Sequence, residues 1–452
     1  MDGLEVTILK LSEVKEENIR FRIDSDFFIK EYLKNELFLK SKFRIKDFSK
    51  NKIKTINNFR LKKDFNYLEI SGVNLNSLNY EITTINPNEI PDRATYILKH
   101  NDIIVSTVRP NRNAVALIKN PKRLIGTSGF TVIRPFNIVP EYLFVFCKTK
   151  YFITKLMREN TASMYPAVSD SDVLNVKIPI PSNDFQLKIE QIVKSSYDKL
   201  ENSKSLYSQA EEILLTELGL KDWQPTEETK AVKSFKDSFL TSGRLDAEYY
   251  QPKYEEIEEK IRGYKGGWDI IDNHFIQNNK IIEEDKEGYN YIEIGDINVS
   301  NGEVNYNYIL KEELPANAKI KVNKNDLLIS KVRPYRGAVA IIDFENDNLV
   351  ASGAFTVLQE KENLLINKET LCILLKISVY KTLMMKNNVG SSYPVIKDED
   401  IKNLTIPILP LAIQQTISQK IQQSFKLRKE SKDLLELAKK MVEEAIENGE
   451  EN

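Results

Sequence analysis

The stretch "NDIIVSTVRPNRNAVALI" at residues 101–118 returns as "NDLLISKVRPYRGAVAII" at 325–342, so the chain must fold into something that is itself doubled. Roughly 11 of the 18 positions are identical, where unrelated segments would share about one, and four of the rest exchange Ile, Leu and Val. The match continues in order along both halves. "RIDSDFF" at 22–28 answers "RLDAEYY" at 244–250, and "YLEISGVN" at 67–74 answers "YIEIGDIN" at 291–298. "SGFTV" at 128–132 answers "SGAFTV" at 352–357, and "ASMYPAVSDSDVLNVKIPIP" at 162–181 answers "GSSYPVIKDEDIKNLTIPIL" at 390–409. The separation drifts only from about 222 to about 228 positions, so the two halves share one architecture with few insertions.

Alternating apolar and β-branched residues in "DIIVSTV" and "AVALI" predict strands, with the proline-containing link between them as a turn. Each half is then a mixed domain of short strands and a few helices. The 452 residues, 41% hydrophobic and 29% charged, are enough for two such domains, each with its own core. No run reaches the length of apolar sequence that a membrane span needs, and the start "MDGLEVTILKLSEVKEE" is too charged for a secretory signal. The expected setting is therefore the cytoplasm, without membrane contact. Cys147 and Cys372 sit in apolar, helical-looking stretches at equivalent places in the two halves, which predicts buried thiols rather than a disulfide or a metal site. His100 and His274 are isolated from each other and from any cysteine cluster, so no metal site is expected.

The segment after each domain differs in kind. Beyond Asn183 proline and glycine disappear, and Ile189, Val193, Ser196, Leu200, Ser203, Tyr207, Ala210 and Leu214 alternate steps of four and three, a heptad seam. The second half repeats it with Ile417, Ile421, Ser424, Arg428, Ser431, Leu435, Ala438 and Val442. Small residues at Ser196, Ser203 and Ala210, matched by Ser424, Ser431 and Ala438, would let two such helices approach closely. A helix of about 36 residues is a rod of roughly 50 Å, longer than a domain of this size is wide. The two rods are therefore expected to pair with each other rather than each lying on its own domain, and an antiparallel pair, which the long domain inserted between them would allow, would set the domains at opposite ends of a spacer. The expected fold is α+β: two pseudo-repeated mixed α/β domains separated by two long helices that form a coiled coil, an antiparallel coiled coil if the inserted domain sets their direction. Its divisions are an extension at 1–20, a first domain at 21–182, a first helix at 183–219, a linker at 220–243, a second domain at 244–410 and a second helix at 411–448.

A search for catalysis finds no Walker-type loop, G-x-G-x-x-G, H-E-x-x-H or G-x-S-x-G elbow, and no Asn-Pro-Pro or Asp-Pro-Pro followed by an aromatic. Carboxylates come in solvated runs such as "IIEEDKEG" at 281–288. No catalytic residue is expected, and the chain reads as a binder. Two readers joined by a spacer suit a two-part target, and a separation beyond one DNA turn, about 34 to 36 Å, would set both on one face of a duplex. The formal net charge is only -1. Residues 21–180 carry roughly +11 and residues 244–408 roughly -6, so the halves are electrostatically unlike. The difference is concentrated in "SKFRIKDFSKNKIKTINNFRLKK" at 41–63. There Arg44, Lys46, Lys50, Lys52, Lys54, Arg60, Lys62 and Lys63 would either contact phosphates or form a soluble basic face.

The order "RLDAEYY", "NDLLISKVRPYRGAVAI", "SGAFTV", "YPVIKDEDIKNLTIPIL" and then a long helix opening with "QQTISQKI" resembles the specificity subunit of Type I restriction-modification systems. The first half supplies "QLKIEQIV" at the matching helix start. The resemblance implies two target recognition domains, each reading one half of a split site in double-stranded DNA, and an antiparallel coil that docks two methyltransferase subunits. It implies no cofactor in this chain: S-adenosylmethionine, ATP and magnesium would all belong to partner subunits, S-adenosylmethionine to the modification subunits and ATP to the restriction or translocase subunits. Within this picture Arg109, Arg112, Arg333 and Arg336, common to both repeats, are expected in phosphate-binding or structural roles. Base readout is expected from the divergent loops near residues 48–66, 75–90, 272–288 and 299–312. Tyr165 and Tyr393, each before a proline, are expected as buried or turn-forming rings rather than base-stacking ones. Two other readings remain open: the recognition subunit of a Type II-like restriction-methylation enzyme, and a duplicated scaffold that joins two proteins without touching DNA.

Overall fold

Short β-branched runs punctuated by Gly, Pro and Asn give short strands that cannot stand alone and must pair at long range. In the computed structural model, which describes residues 6–15, 18, 20–50, 53–56, 63–161, 165–282, 286–390 and 393–449, they pair within two units. One unit comprises Met1–Glu201 with Leu427–Asn452, the other Asn202–Lys426.

In the first unit a four-stranded sheet runs in the order Thr83–Ile85, Phe65–Leu68, Leu124–Thr127, Ala94–Ile97, and a three-stranded sheet in the order Val115–Leu117, Ile103–Ser106, Phe130–Ile133. The pairing of Phe65–Leu68 with Leu124–Thr127 is parallel; the rest are antiparallel. The second unit repeats this order: Asn307–Leu310, Gly288–Ile292, Leu349–Ser352, Ala318–Lys321 in one sheet, and Val339–Ile341, Leu327–Ser330, Phe355–Glu360 in the other, with Phe275–Gln277 added at its edge. Again only the Gly288–Ile292 and Leu349–Ser352 pair is parallel. The duplication therefore extends to strand order and direction.

A helix buried on nearly every side, Pro140–Lys148, lies in the core of the first unit, and Lys368–Lys376 does the same in the second. Thr149 then caps the next helix by accepting from the Phe152 N–H, and Asn367 caps its own by accepting from Thr370. Cys147 and Cys372 are free and buried on these two helices. They do not occupy corresponding positions: Cys147 is next to last in its helix, whereas Cys372 stands one turn earlier. Apolar composition, which both stretches share, places a helix in the core without choosing which of its residues is the thiol.

The two long helices, Asn183–Glu217 and Leu411–Asn448, run antiparallel, and the boundary between the units falls within both. Every seam residue named from the sequence is buried. In the first unit Ile189, Val193 and Leu200 share a core with Leu435, Ala438 and Val442. In the second, Tyr207, Ala210 and Leu214 share one with Ile417 and Ile421. The serines do more than make room. Ser196 Oγ donates to the Ser431 carbonyl and Ser431 Oγ to the Ser196 carbonyl, both at 2.7 Å. Ser203 and Ser424 repeat the exchange at 2.8 Å. Each buried hydroxyl thus satisfies itself on the opposite backbone, which holds the helices at a distance only a small side chain permits. The pairs set Ala210 opposite Ile417 and Ala438 opposite Ile189, small against large. Arg428, buried where the first helix has Leu200, is the charged member of the seam.

Beneath the second helix in the first unit, Lys148 is buried with its ammonium donating to the Leu75 carbonyl at 2.9 Å. Burial, reinforced by Lys439 and opposed by Glu436, lowers its pKa to about 8.

This packing has two testable outcomes. Ser196→Leu should wedge the helices apart and cost about 1–3 kcal/mol, while the Ser196→Ala, Ser431→Ala pair, which leaves no orphan hydroxyl, should cost about 1 kcal/mol or less in urea unfolding. Because the folded-state pKa of Lys148 lies below its unfolded value, the unfolded chain holds more protons between about pH 8 and pH 10.5, and this group makes stability rise across that window. The Tm of the wild-type chain should therefore gain on that of Lys148→Met between about pH 7.5 and pH 9.5 in parallel thermal scans.

Candidate nucleic-acid interface

The repeated stretch folds as strand, turn, strand, and its turn is built identically in both units. A proline closes the right-handed helical region to the residue before it, and that residue is an arginine. Arg109 takes the left-handed conformation with φ 51° and ψ 57°, and Arg333 does so with φ 48° and ψ 56°. Such a backbone costs an L-residue roughly 1–2 kcal/mol and persists only where neighbours over-determine it. Here the Arg109 N–H donates to the Pro166 carbonyl at 2.7 Å, and the Arg333 N–H to that of Pro394 at 2.8 Å. Behind each turn a buried serine locks the loop: Ser106 Oγ donates to the Val108 carbonyl at 2.7 Å, and Ser330 Oγ to that of Val332 at 2.8 Å. The turn ends on a second left-handed residue, Asn113 in one unit and Gly337 in the other.

The backbone arrangement presents the arginine side chains in pairs. The Arg109 guanidinium lies 4.8 Å from the ring centre of Tyr165, and that of Arg333 lies 4.9 Å from the ring centre of Tyr393. The rings are not buried: Tyr165 is 53% exposed and Tyr393 54%. Of the two expected roles, buried or turn-forming, burial is corrected here: the proline after each tyrosine is held by the turn, and each exposed tyrosine serves as a shelf for an arginine. Arg112 and Arg336 are exposed on the same turns. Among the described residues none of the four arginines has a carboxylate partner, so four cations are held out with their charge uncompensated.

Two further groups border the turns. Exposed Arg93 accepts at its carbonyl from the Ser128 N–H, next to Gly129, whose carbonyl receives the Thr107 N–H; in the second unit Asn317 takes the place of Arg93, accepting from Gly353. Tyr335, exposed, stands where the first turn has Asn111. Sequence reading missed Arg93, Tyr335 and the tyrosine shelves. The available signal was that "RP" and "YP" recur together in both halves.

The basic segment does not gather at this turn. Arg44 donates to the Asn175 carbonyl at 2.6 Å, and Lys46 to the Asn175 side chain at 2.9 Å. Exposed Lys50 is tied by its N–H to the carbonyl of Arg134, which follows the strand Phe130–Ile133 at the end away from the turn. Exposed Lys54 lies beside Ile97, and the carbonyl of exposed Lys63 accepts from Arg123, ahead of the strand Leu124–Thr127 and again at the end away from Gly129. Lys52, Arg60 and Lys62 lie outside the described residues. The divergent loops are also divided: Ser77, Leu78 and Asn79, and Asn301, Glu303 and Val304, are buried, whereas Tyr306, Tyr308 and Leu310 stand exposed. The buried portions are closed to a ligand by their packing, so the accessible surface of the loop at 299–312 is Val299 and Ser300 before the buried run and Tyr306 onward after it.

Two copies of one mixed α/β unit, each including part of an antiparallel helix pair and one arginine turn, define a tandem two-domain class of protein. The family described as Type I restriction modification DNA specificity domain matches twice, over residues 40–212 and 269–437, and the chain belongs to that family. It is similar to the Type I restriction enzyme HindI specificity subunit of Haemophilus influenzae, 29% identical over 135 residues that make up 28% of this chain and 29% of that protein. The chain thus spans about three tenths of the length of that relative. It is also similar to the MjaVIII specificity subunit of Methanocaldococcus jannaschii, 22% identical over 356 residues, 76% of this chain and 78% of that one. Among solved structures, the Type I restriction-modification S subunit from M. genitalium aligns with 12% identity over 90% of this chain and 95% of its own, with a TM-score of 0.40.

The left-handed backbone makes the turn selective about its residue. Arg109→Asn and Arg333→Gly should leave Tm near the wild-type value, since both residue types accept φ > 0, whereas Val at either position should cost about 1–2 kcal/mol in thermal unfolding.

Proposed function

We propose that this chain is the non-catalytic specificity subunit of a Type I restriction-modification complex, with each domain reading one half of a bipartite site in double-stranded DNA. The observation that carries the reading is the doubled arginine turn: Arg109 with Arg112, and Arg333 with Arg336, exposed or half-buried, uncompensated, and held on identical frames. Groups identical in two domains that read different half-sites fit contacts to what is identical in DNA, its phosphates, which position the protein without carrying sequence information. Bases are then read by what differs between the units, including Arg93 against Asn317 and the exposed run Tyr306 to Leu310. The dispersed lysines of the first unit add sequence-independent attraction.

The antiparallel helix pair is the docking platform for two methyltransferase subunits, which supply S-adenosylmethionine chemistry, with restriction or translocase subunits supplying the ATP- and magnesium-dependent steps. Family membership supports this assignment, as does the uninterrupted length of both helices. The near-zero net charge agrees with a subunit that shares its phosphate contacts with partners.

Methylated sites mapped by long-read sequencing in cells expressing the chain with its adjacent methyltransferase should show a split motif, absent with the methyltransferase alone. Absence of any new motif from an assembled complex would refute the reading. In the complex, Arg112→Gln and Arg336→Gln should each weaken binding similarly on all DNA sequences and lower the salt slope by about one.

A further inference from the structure

The segment that opens each repeat, "RID" at 22–24 and "RLD" at 244–246, is a clamp with an aliphatic side chain at its centre. Arg22 grips Asp24 through two hydrogen bonds of 2.8 and 2.6 Å, and Arg244 grips Asp246 through two of 2.7 and 2.5 Å. Each arginine also reaches back to its unit, Arg22 to the carbonyls of Arg158 and Asn160 and Arg244 to that of Asn388. Each lies over an aromatic ring as well, Phe27 at 5.0 Å and Tyr249 at 4.7 Å. With both flanking side chains folded together, the residue between them is turned outward: Ile23 is 86% exposed and Leu245 68%.

A single exposed aliphatic residue is ordinary. Here the same device presents one twice. The residue before each clamp is left-handed, Gly243 with φ 70° in the second unit but Phe21 with φ 48° in the first. A glycine is free there and a phenylalanine is strained, yet Phe21 is kept, 70% exposed, two residues from Ile23. Backbone strain retained to hold out an apolar ring beside an apolar peg points to something that covers both.

We infer that Ile23 with Phe21, and Leu245, are two equivalent pegs that each enter an apolar pocket on a protein subunit present in two copies. DNA does not fit the pegs. They carry no charge or hydrogen-bonding group, the clamp arginines are already neutralised by Asp24 and Asp246, and exposed Asp26 and Glu248 beside them repel phosphate. Those carboxylates fit a pocket rimmed by Lys or Arg. The inference rests on the proposed docking of two methyltransferase subunits, and names a contact for each that lies outside the helix pair.

The test is titration of the full-length chain with the methyltransferase encoded beside it, read by native mass spectrometry and by affinity, for Ile23→Asn, Leu245→Asn, the double variant and Val232→Asn. Val232 is fully exposed with no clamp and serves as the control. Ile23→Asn and Leu245→Asn should each weaken one of two binding events about 10- to 100-fold, the double variant both, and the control neither, with Tm unchanged throughout. Phe21→Gly should raise Tm while weakening one event only. If the wild-type chain binds two methyltransferases and all variants bind equally well, the docking reading stands and the pegs are refuted. No binding by the wild-type chain would overturn both. A wild-type dimer in the absence of methyltransferase that the peg variants dissolve would make the occupant a second copy of this chain, and would overturn the assignment as well.

Discussion

The exchange of hydrogen bonds between Ser196 and Ser431, and between Ser203 and Ser424, is the interaction on which the rest of the architecture depends. A hydroxyl buried in a helix seam must find an acceptor, and the one within reach is the backbone of the facing helix. That requirement sets the helices close and fixes their register, which in turn seats Ile189 against Ala438 and Ala210 against Ile417. The first unit is completed only by Leu427–Asn452, so its core draws on residues from both ends of the chain. Closing so long a loop is entropically tolerable because the cost grows only with the logarithm of its length.

The arginine turns share one frame whose surroundings differ between the units. Backbone strain at Arg109 and Arg333, the serine lock behind each turn and the tyrosine shelf beside it are the same in both units. The surroundings change: Arg93 becomes Asn317, Asn111 becomes Tyr335, and the first unit is basic where the second is acidic. A duplicated frame with unlike rims fits the proposed reading of an asymmetric, two-part site.

Much of this was legible in the sequence, at uneven depth. The seam could be read residue by residue, because burial on a helix follows a spacing of three and four that needs no knowledge of the partner. The strands around the repeated turn were legible for a similar reason. The left-handed arginines were not, since their conformation is imposed by the carbonyls of Pro166 and Pro394, more than fifty residues away in the chain. Nor was the scatter of the basic segment, which reads as one patch in sequence but is carried from Asn175 past Arg134 and Ile97 to Arg123 as it runs along successive strands.

Duplication, the mixed α/β character of each half and the matching apolar stripes of the two long helices are all properties of periodicity and self-similarity, written locally in the chain. Which serine meets which, the inward turn of the loops at 77–79 and 301–304 while Tyr306 and Tyr308 stay out, and the placement of Tyr165 and Tyr393 under arginines rather than in the core emerge in the folded chain alone. Those outcomes depend on which segments compete for the same buried surface, a long-range balance that no local pattern contains.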